Sequence, residues 1–200
     1  MDWFLPPTCA GCRQDGSWWC DFCYQSVKPL TITYQVPALA GVKAAAYYGG
    51  PIRNGLRSLK YQHAKAVAPF LAAYLQIPLR QIGSQKLVLI PVPLHRRRLK
   101  SRGHNQARLL AHHLGKLTGL PVQDQLTRIR PTVSQTTLDK PHRAANVAGA
   151  FAWRGESLSG QTAVIIDDVT TTGATLSACA TALKPAHPAS VWGLTVAKKR

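Results

Sequence analysis

Apolar positions along this chain recur with two periods, one suited to strands and one to helical faces. Leu87-Val-Leu-Ile-Pro-Val-Pro-Leu94 is a short apolar run ended by prolines, which predicts a buried strand. Leu109, Leu110 and Leu114 then follow at helical spacing and predict a helix from Asn105 that stops at Gly115. A second apolar strand, Ala163-Val-Ile-Ile166, ends in the carboxylates Asp167 and Asp168. Leu176, Ala180 and Leu183 predict the helix after it, stopped by Pro185, with Cys179 as core on or near its apolar face. Upstream, Val42 to Tyr48 reads as a strand, Gly49-Gly50-Pro51 as a turn and Ile52 to Lys60 as a short helix. Ala64 to Leu75 has helical character, weakened by Pro69. This alternation predicts an α/β fold with a parallel sheet flanked by helices.

Both downstream units run strand, loop, helix, and in a parallel α/β sheet their loops lie together at the carboxyl edge, where ligands bind. Their chemistry differs. Every residue from Asp168 to Thr175 except Val169 is Asp, Thr, Gly or Ala, where simple helix capping needs only one such residue. Carboxylates suit sugar hydroxyls, and a turn that opens a helix offers N–H groups to a phosphate. No Gly-Lys-Ser/Thr follows, and no Gly-x-Gly-x-x-Gly occurs, which argues against a P-loop or a dinucleotide site. The other loop, His95-Arg-Arg-Arg-Leu-Lys-Ser-Arg-Gly-His104, is basic. It reads as a pyrophosphate contact, with two or three cations in reach, or as a nucleic-acid or targeting patch. His112 and His113, mid-helix with no acid or Cys at ligand spacing, read as surface residues.

Four of the five cysteines form two pairs, Cys9-x-x-Cys12 and Cys20-x-x-Cys23. Paired Cys-x-x-Cys turns aim four thiolates at one tetrahedral Zn²⁺, although the spacer here is shorter than usual. Disulfides or a redox pair are the alternatives, disfavoured by a reducing compartment and by the lack of a thioredoxin-like context. Four thiolates leave no open position, so such a zinc is structural. Trp3, Phe4, Trp18, Trp19 and Phe22 surround the pairs and serve either to dock this knuckle or to stack on bases.

Two hundred residues, 46% of them hydrophobic, suffice for one domain with a small appendage. The expected division is a knuckle over residues 1–28, a connecting or hood region over 29–85 and a core over 86–200. No apolar run approaches the roughly 20 residues of a membrane span, and no secretory signal opens the chain, so a cytoplasmic protein is expected. The net charge is +17, from 25 Lys and Arg against 8 Asp and Glu, which favours polyanions without separating nucleic acid from a phosphorylated sugar. Arg53, Arg57, Lys60 and Lys65 read as a solvated basic face. Thr127 to Asn146 is polar and aperiodic, as closing lids or disordered loops are.

The run Ile166-Asp-Asp-Val-Thr-Thr-Thr-Gly-Ala-Thr175 resembles the phosphoribosyl-pyrophosphate (PRPP) motif of type I phosphoribosyltransferases. Leu5-Pro-Pro-Thr-Cys-Ala-Gly-Cys12, Pro91-Val-Pro-Leu-His-Arg-Arg-Arg98 and Ser101-Arg-Gly-His-Asn-Gln-Ala107 extend the resemblance to the ComF family over essentially the whole chain. That resemblance implies a type I phosphoribosyltransferase-like core with an N-terminal zinc finger. It implies PRPP with Mg²⁺ as ligand: Asp167 and Asp168 on the ribose hydroxyls as catalytic residues, and Val169, Thr170, Thr171, Thr172, Gly173, Ala174 and Thr175 completing the PRPP site. His95, Arg96, Arg97 and Arg143 would hold pyrophosphate. It further implies a part in natural transformation, with single-stranded DNA and other DNA-uptake proteins as partners at the inner face of the membrane. His104 departs from the family, where an aromatic such as Phe is common. Amidophosphoribosyltransferase activity in full is not expected, since residue 2 is Asp and Cys9 belongs to the metal set. Two functions remain open: phosphoribosyl transfer to an unidentified acceptor, and a non-catalytic DNA-handling factor that uses the pocket for binding or regulation.

Overall fold

A computed structural model describes residues 6–28, 30–60, 62–83, 86–130 and 145–200. Its centre is a five-stranded sheet of order β1-β2-β7-β6-β3. The strands are β1 (Ile32–Tyr34), β2 (Gly41–Tyr47), β3 (Leu87–Pro91), β6 (Thr162–Thr170) and β7 (Ser190–Lys198). Only β1 runs antiparallel to its neighbour; β2, β7, β6 and β3 are mutually parallel. Ala163 to Ile166 are fully buried, as expected for a central strand covered on both faces. Alternate residues serve opposite layers. Val164 and Ile166 join Leu110, Ala111 and Leu114, whereas Ala163 and Ile165 join Leu176, Cys179, Ala180 and Leu183.

The first layer holds α2 (Gly50–Ser58), α3 (Ala68–Ala73), α4 (Gln76–Arg80) and α6 (Gln106–Thr118). The second holds α7 (Ala174–Leu183) and an antiparallel pair, β4 (Leu126–Arg128) with β5 (Phe151–Trp153). The described residues of 29–85, expected as a connecting or hood region, supply two strands to the sheet and three helices to its cover. Among the described residues no helix is long and apolar enough to cross a membrane.

Four expectations shift. The helix predicted over 64–75 is divided: a 3₁₀ turn over Gln62–Val67 precedes α3, with Pro69 in the first turn, where a missing N–H costs nothing. The basic loop after β3 is a helix, α5 (Arg96–Arg102), capped by His95 Nδ1 on the Arg97 N–H (3.3 Å) and closed by Gly103 at φ 74°. Helix α6 passes Gly115 and stops at Gly119 (φ 73°). Gly115 instead permits close packing, since a Cβ there would meet Val122 Cγ2 at 2.8 Å and the Leu120 carbonyl oxygen at 2.9 Å. Strand β6 continues beyond the acids to Thr170, because β7 pairs with it as far as Lys198.

The knuckle, with α1 (Asp21–Ser26), docks on the first layer. Trp19, 4% exposed, lies on Gly55, where a Cβ would meet its ring at 2.6 Å, and its indole N–H donates to the Tyr74 hydroxyl at 3.2 Å. Burying such a ring stabilises docking by roughly 3 kcal/mol. Asn54 Nδ2 adds a bond to the Gly11 carbonyl at 2.7 Å. Trp18 and Phe22 remain 41% and 70% exposed, so only Trp19 of the predicted aromatic set is a described docking residue; Trp3 and Phe4 lie outside the described residues.

Candidate functional site

Strand β3 stops pairing with β6 at Pro91↔Ile166, while β6 continues on β7 alone to Thr170. The resulting crevice is a cavity of about 650 Å³ at the carboxyl edge of the sheet, the position where open parallel sheets bind ligands. Asp167 and Asp168 lie in its wall. The Asp168 N–H donates to Asp167 Oδ1 and the Val169 N–H to Asp168 Oδ1, both at 2.8 Å. These bonds orient the two carboxylates. Burial, then the charge of Asp168, raises the Asp167 carboxyl well above the usual range, while a backbone bond and Lys60 pull it back. A site that keeps this pair ionised needs hydroxyl donors or cations beside it.

The chain next turns through Thr171, Thr172 and Gly173 into α7. Gly173 has φ 82°, and a Cβ would meet Val36 Cγ2 at 2.5 Å, so both backbone and space require glycine. With no side chain at the N-cap, the Ala174 N–H that opens α7 donates to Thr172 Oγ1 at 3.4 Å. Its positive end faces the cavity through Ala174 and Thr175.

Of the residues predicted for the sugar phosphate, Asp167, Asp168, Val169, Thr170, Thr171, Gly173, Ala174 and Thr175 line the cavity. Thr172 is exposed and does not. On the basic side the placement differs from expectation. Arg98 and Arg102 line the cavity, whereas His95, Arg96 and Arg97 do not. The helical phase of α5 is the reason: positions 98 and 102 share one face, and Arg96 and Arg97 point to solvent. Arg143 lies outside the described residues, as does most of the expected lid, although Thr127 and Arg128 belong to β4.

Sequence reasoning assigned no ligand role to Lys60, Arg128 and Lys199, which join Arg98 and Arg102 to give, among the described residues, five cations around two acids. Burial, then the nearby charge of Arg98, lowers the affinity of Arg128 for its proton. Like cations held together favour an anion between them. Asn105 and Gln106, at the start of α6, complete this side, with the Asn105 side chain capping the Ala107 N–H at 3.0 Å. The four-residue spacing of Arg98 and Arg102 would have singled them out only had the basic run been read as a helix; Lys60, Arg128 and Lys199 arrive through tertiary packing.

The second cluster lies in the knuckle. The sulfurs of Cys9, Cys12, Cys20 and Cys23 all fall within 4.8 Å of one another, and those of Cys12 and Cys20 are 3.6 Å apart. A tetrahedral thiolate site places sulfurs about 3.8 Å apart, so the four can hold a metal ion such as zinc. Burial opposes ionisation of Cys9, but N–H groups of Cys20, Cys12 and Gly11 prevail and lower it to about 6. Burial and neighbouring sulfurs raise Cys23. A divalent cation would let all four ionise together. His112 and Arg108 are both 2.9 Å from Asp124, and none of the three belongs to the cavity lining.

No family model matches the chain. It is 27% identical over 198 residues to Competence protein F of Haemophilus influenzae, covering 94% of this chain and 84% of that protein. DNA utilization protein YhgH of Salmonella typhimurium is 34% identical over 155 residues, 74% of this chain and 68% of the relative. Competence protein ComFC of Bacillus subtilis is 29% identical over 130 residues, 64% and 52% of the two chains. Among solved structures, a hypoxanthine phosphoribosyltransferase from Staphylococcus aureus superposes with a TM-score of 0.41 at 16% identity, covering 66% of this chain and 72% of that one.

Proposed function

The chain belongs to the ComF family of competence and DNA-utilization proteins, and from that premise we propose that it binds PRPP with Mg²⁺ and transfers the phosphoribosyl group during DNA uptake. The observation that carries this reading is the cavity itself: an adjacent acid pair, a helix start on one side and five cations around them. Asp167 and Asp168 hold the ribose hydroxyls. The turn from Thr171 to Thr175 holds the 5′-phosphate, while Arg98, Arg102 and Arg128 face the pyrophosphate. As the bond from C1 to the pyrophosphate oxygen lengthens, positive charge develops on the ribose and the acid pair stabilises it. The leaving group departs toward the arginines, and the acceptor bonds to C1. When bound, Mg²⁺ would be held chiefly by oxygens of the ligand, as hard cations prefer, and would further neutralise the diphosphate.

Calorimetry with PRPP and Mg²⁺ tests this site. Wild type binds, and Asp167→Asn/Asp168→Asn stays folded and loses binding at least 100-fold. Equal affinity in the two proteins removes the assignment. We assign Zn²⁺ to the four cysteines on the chemistry of the set, expecting one zinc per purified chain by elemental analysis. Oxidised cysteines with no zinc would contradict it.

A second reading rests on Trp18 and Phe22, which stand exposed on the knuckle of a chain of net charge +17. Here the protein handles single-stranded DNA in the cytoplasm, the knuckle stacks bases and the cavity regulates. Base stacking on such rings is worth about 1–3 kcal/mol per base. DNA affinity that falls steeply with salt and drops on Trp18→Ala favours this reading. Pyrophosphate release with a defined acceptor favours the transferase, and the two can coexist in one protein.

A further inference from the structure

His104 is 6% exposed and belongs to no wall of the cavity, yet it sits where three of those walls meet. It lies between Gly103, which closes α5, and Asn105, which caps α6 and whose Nδ2 donates to the Val92 carbonyl at 2.9 Å. Its Nε2 is 2.7 Å from the Leu59 carbonyl oxygen, a contact spanning 45 residues. A carbonyl only accepts, so Nε2 carries the proton. Nδ1 is then a bare acceptor, and it is buried with no partner. Leu59 itself is fully buried at the end of α2, and the next residue is Lys60, whose side chain lines the cavity.

We infer that His104 is a positioning residue for the cavity: its bond to Leu59 anchors the end of α2 against the α5–α6 junction and so sets Lys60 opposite Asp167. The argument from chemistry is direct. An apolar ring would fill this space without leaving Nδ1 unsatisfied, so a buried histidine here costs more than packing requires. What it adds is one short, directional bond. That bond joins the segment carrying Lys60 to the segment carrying Arg98, Arg102 and Gln106. Lys60 is close enough to Asp167 for its charge to favour the ionised carboxylate. The inference rests on the PRPP reading only for the identity of the natural ligand.

The test uses the full chain, with inorganic pyrophosphate plus Mg²⁺ as probe. His104→Phe keeps a ring and removes the bond. Pyrophosphate affinity is expected to fall about fivefold, the scale of one hydrogen bond, and the Asp167 carboxyl, followed by carbon-13 NMR, is expected to titrate at higher pH as Lys60 moves away. In a Lys60→Met background, His104→Phe is expected to change neither quantity further, because coupled residues are not additive. His104→Gln, whose amide can still donate, restores part of both. A His104→Phe protein with a lowered melting midpoint but unchanged pyrophosphate affinity and Asp167 titration overturns the inference. Should wild type bind pyrophosphate but not PRPP, the proposed transferase fails while His104 is still judged on pyrophosphate. Should it bind neither, the Asp167 titration alone decides.

Discussion

The two junctions that face each other across the cavity receive charge by opposite means. At β6–α7 the helix begins on a glycine that can cap nothing, and the turn presents backbone and hydroxyl groups. At β3–α5–α6 both helix starts are already occupied by their own side chains, His95 at α5 and Asn105 at α6. There the cations come from side chains, Arg98 and Arg102. A backbone cradle is fixed in shape and suits a single phosphate. Arginines are adjustable in reach and fork toward two oxygens at once, which suits a departing diphosphate. On the proposed reading, one junction holds and the other releases.

Gly173→Ala should break the holding side most severely. It forces a Cβ into a left-handed position and onto Val36, with a stability loss of about 2–3 kcal/mol. PRPP affinity should fall 100-fold or more by calorimetry, and affinity for pyrophosphate alone much less. The releasing side is sharpened by four glutamine variants. Arg98→Gln and Arg102→Gln should each cost about tenfold in pyrophosphate affinity, while Arg96→Gln and Arg97→Gln change it less than twofold.

Asp167→Asn probes the acids between the junctions. Burial and Asp168 raise this carboxyl in the folded protein, so the native state binds the proton more tightly than the unfolded chain does. Stability from this group is therefore present at low pH and is lost as pH rises from the unfolded value through the folded one. Removing the charge should raise the melting midpoint of the ligand-free protein at pH 7 and leave it unchanged in acid. The smallest effect belongs to Asn105→Ala. Loss of this cap should cost about 1 kcal/mol, read as a shift of roughly 2–4 °C in thermal midpoint.

The holding junction was legible in the sequence because each of its signals is local. The apolar strand, the acid pair, the hydroxyl run and the helical spacing of Leu176, Ala180 and Leu183 are contiguous, and so are the paired cysteines. The releasing junction was less so. Choosing Arg98 and Arg102 over Arg96 and Arg97 requires the phase of α5, which depends on a histidine cap and a left-handed glycine that the charge run conceals. Lys60, Arg128 and Lys199 come from three further segments, the turn after α2, strand β4 and the residue after β7, brought in by sheet order and layer packing. Within residues 29–85, set apart as a connecting or hood region, the strand over Val42–Tyr48 and the helix after it were legible, but β1 is only three residues long and Pro69 interrupts the later helical pattern. Only the pairing of β2 with β7 shows that this region builds the sheet.

Phosphorus-31 NMR of bound PRPP, with its separate 5′-phosphate and diphosphate resonances, addresses the division of labour most directly. With Arg98→Gln/Arg102→Gln, the diphosphate resonances should move toward their free positions while the 5′-phosphate keeps its bound shift. Both sets moving together, or neither moving, would contradict a cavity whose two junctions grip opposite ends of one ligand.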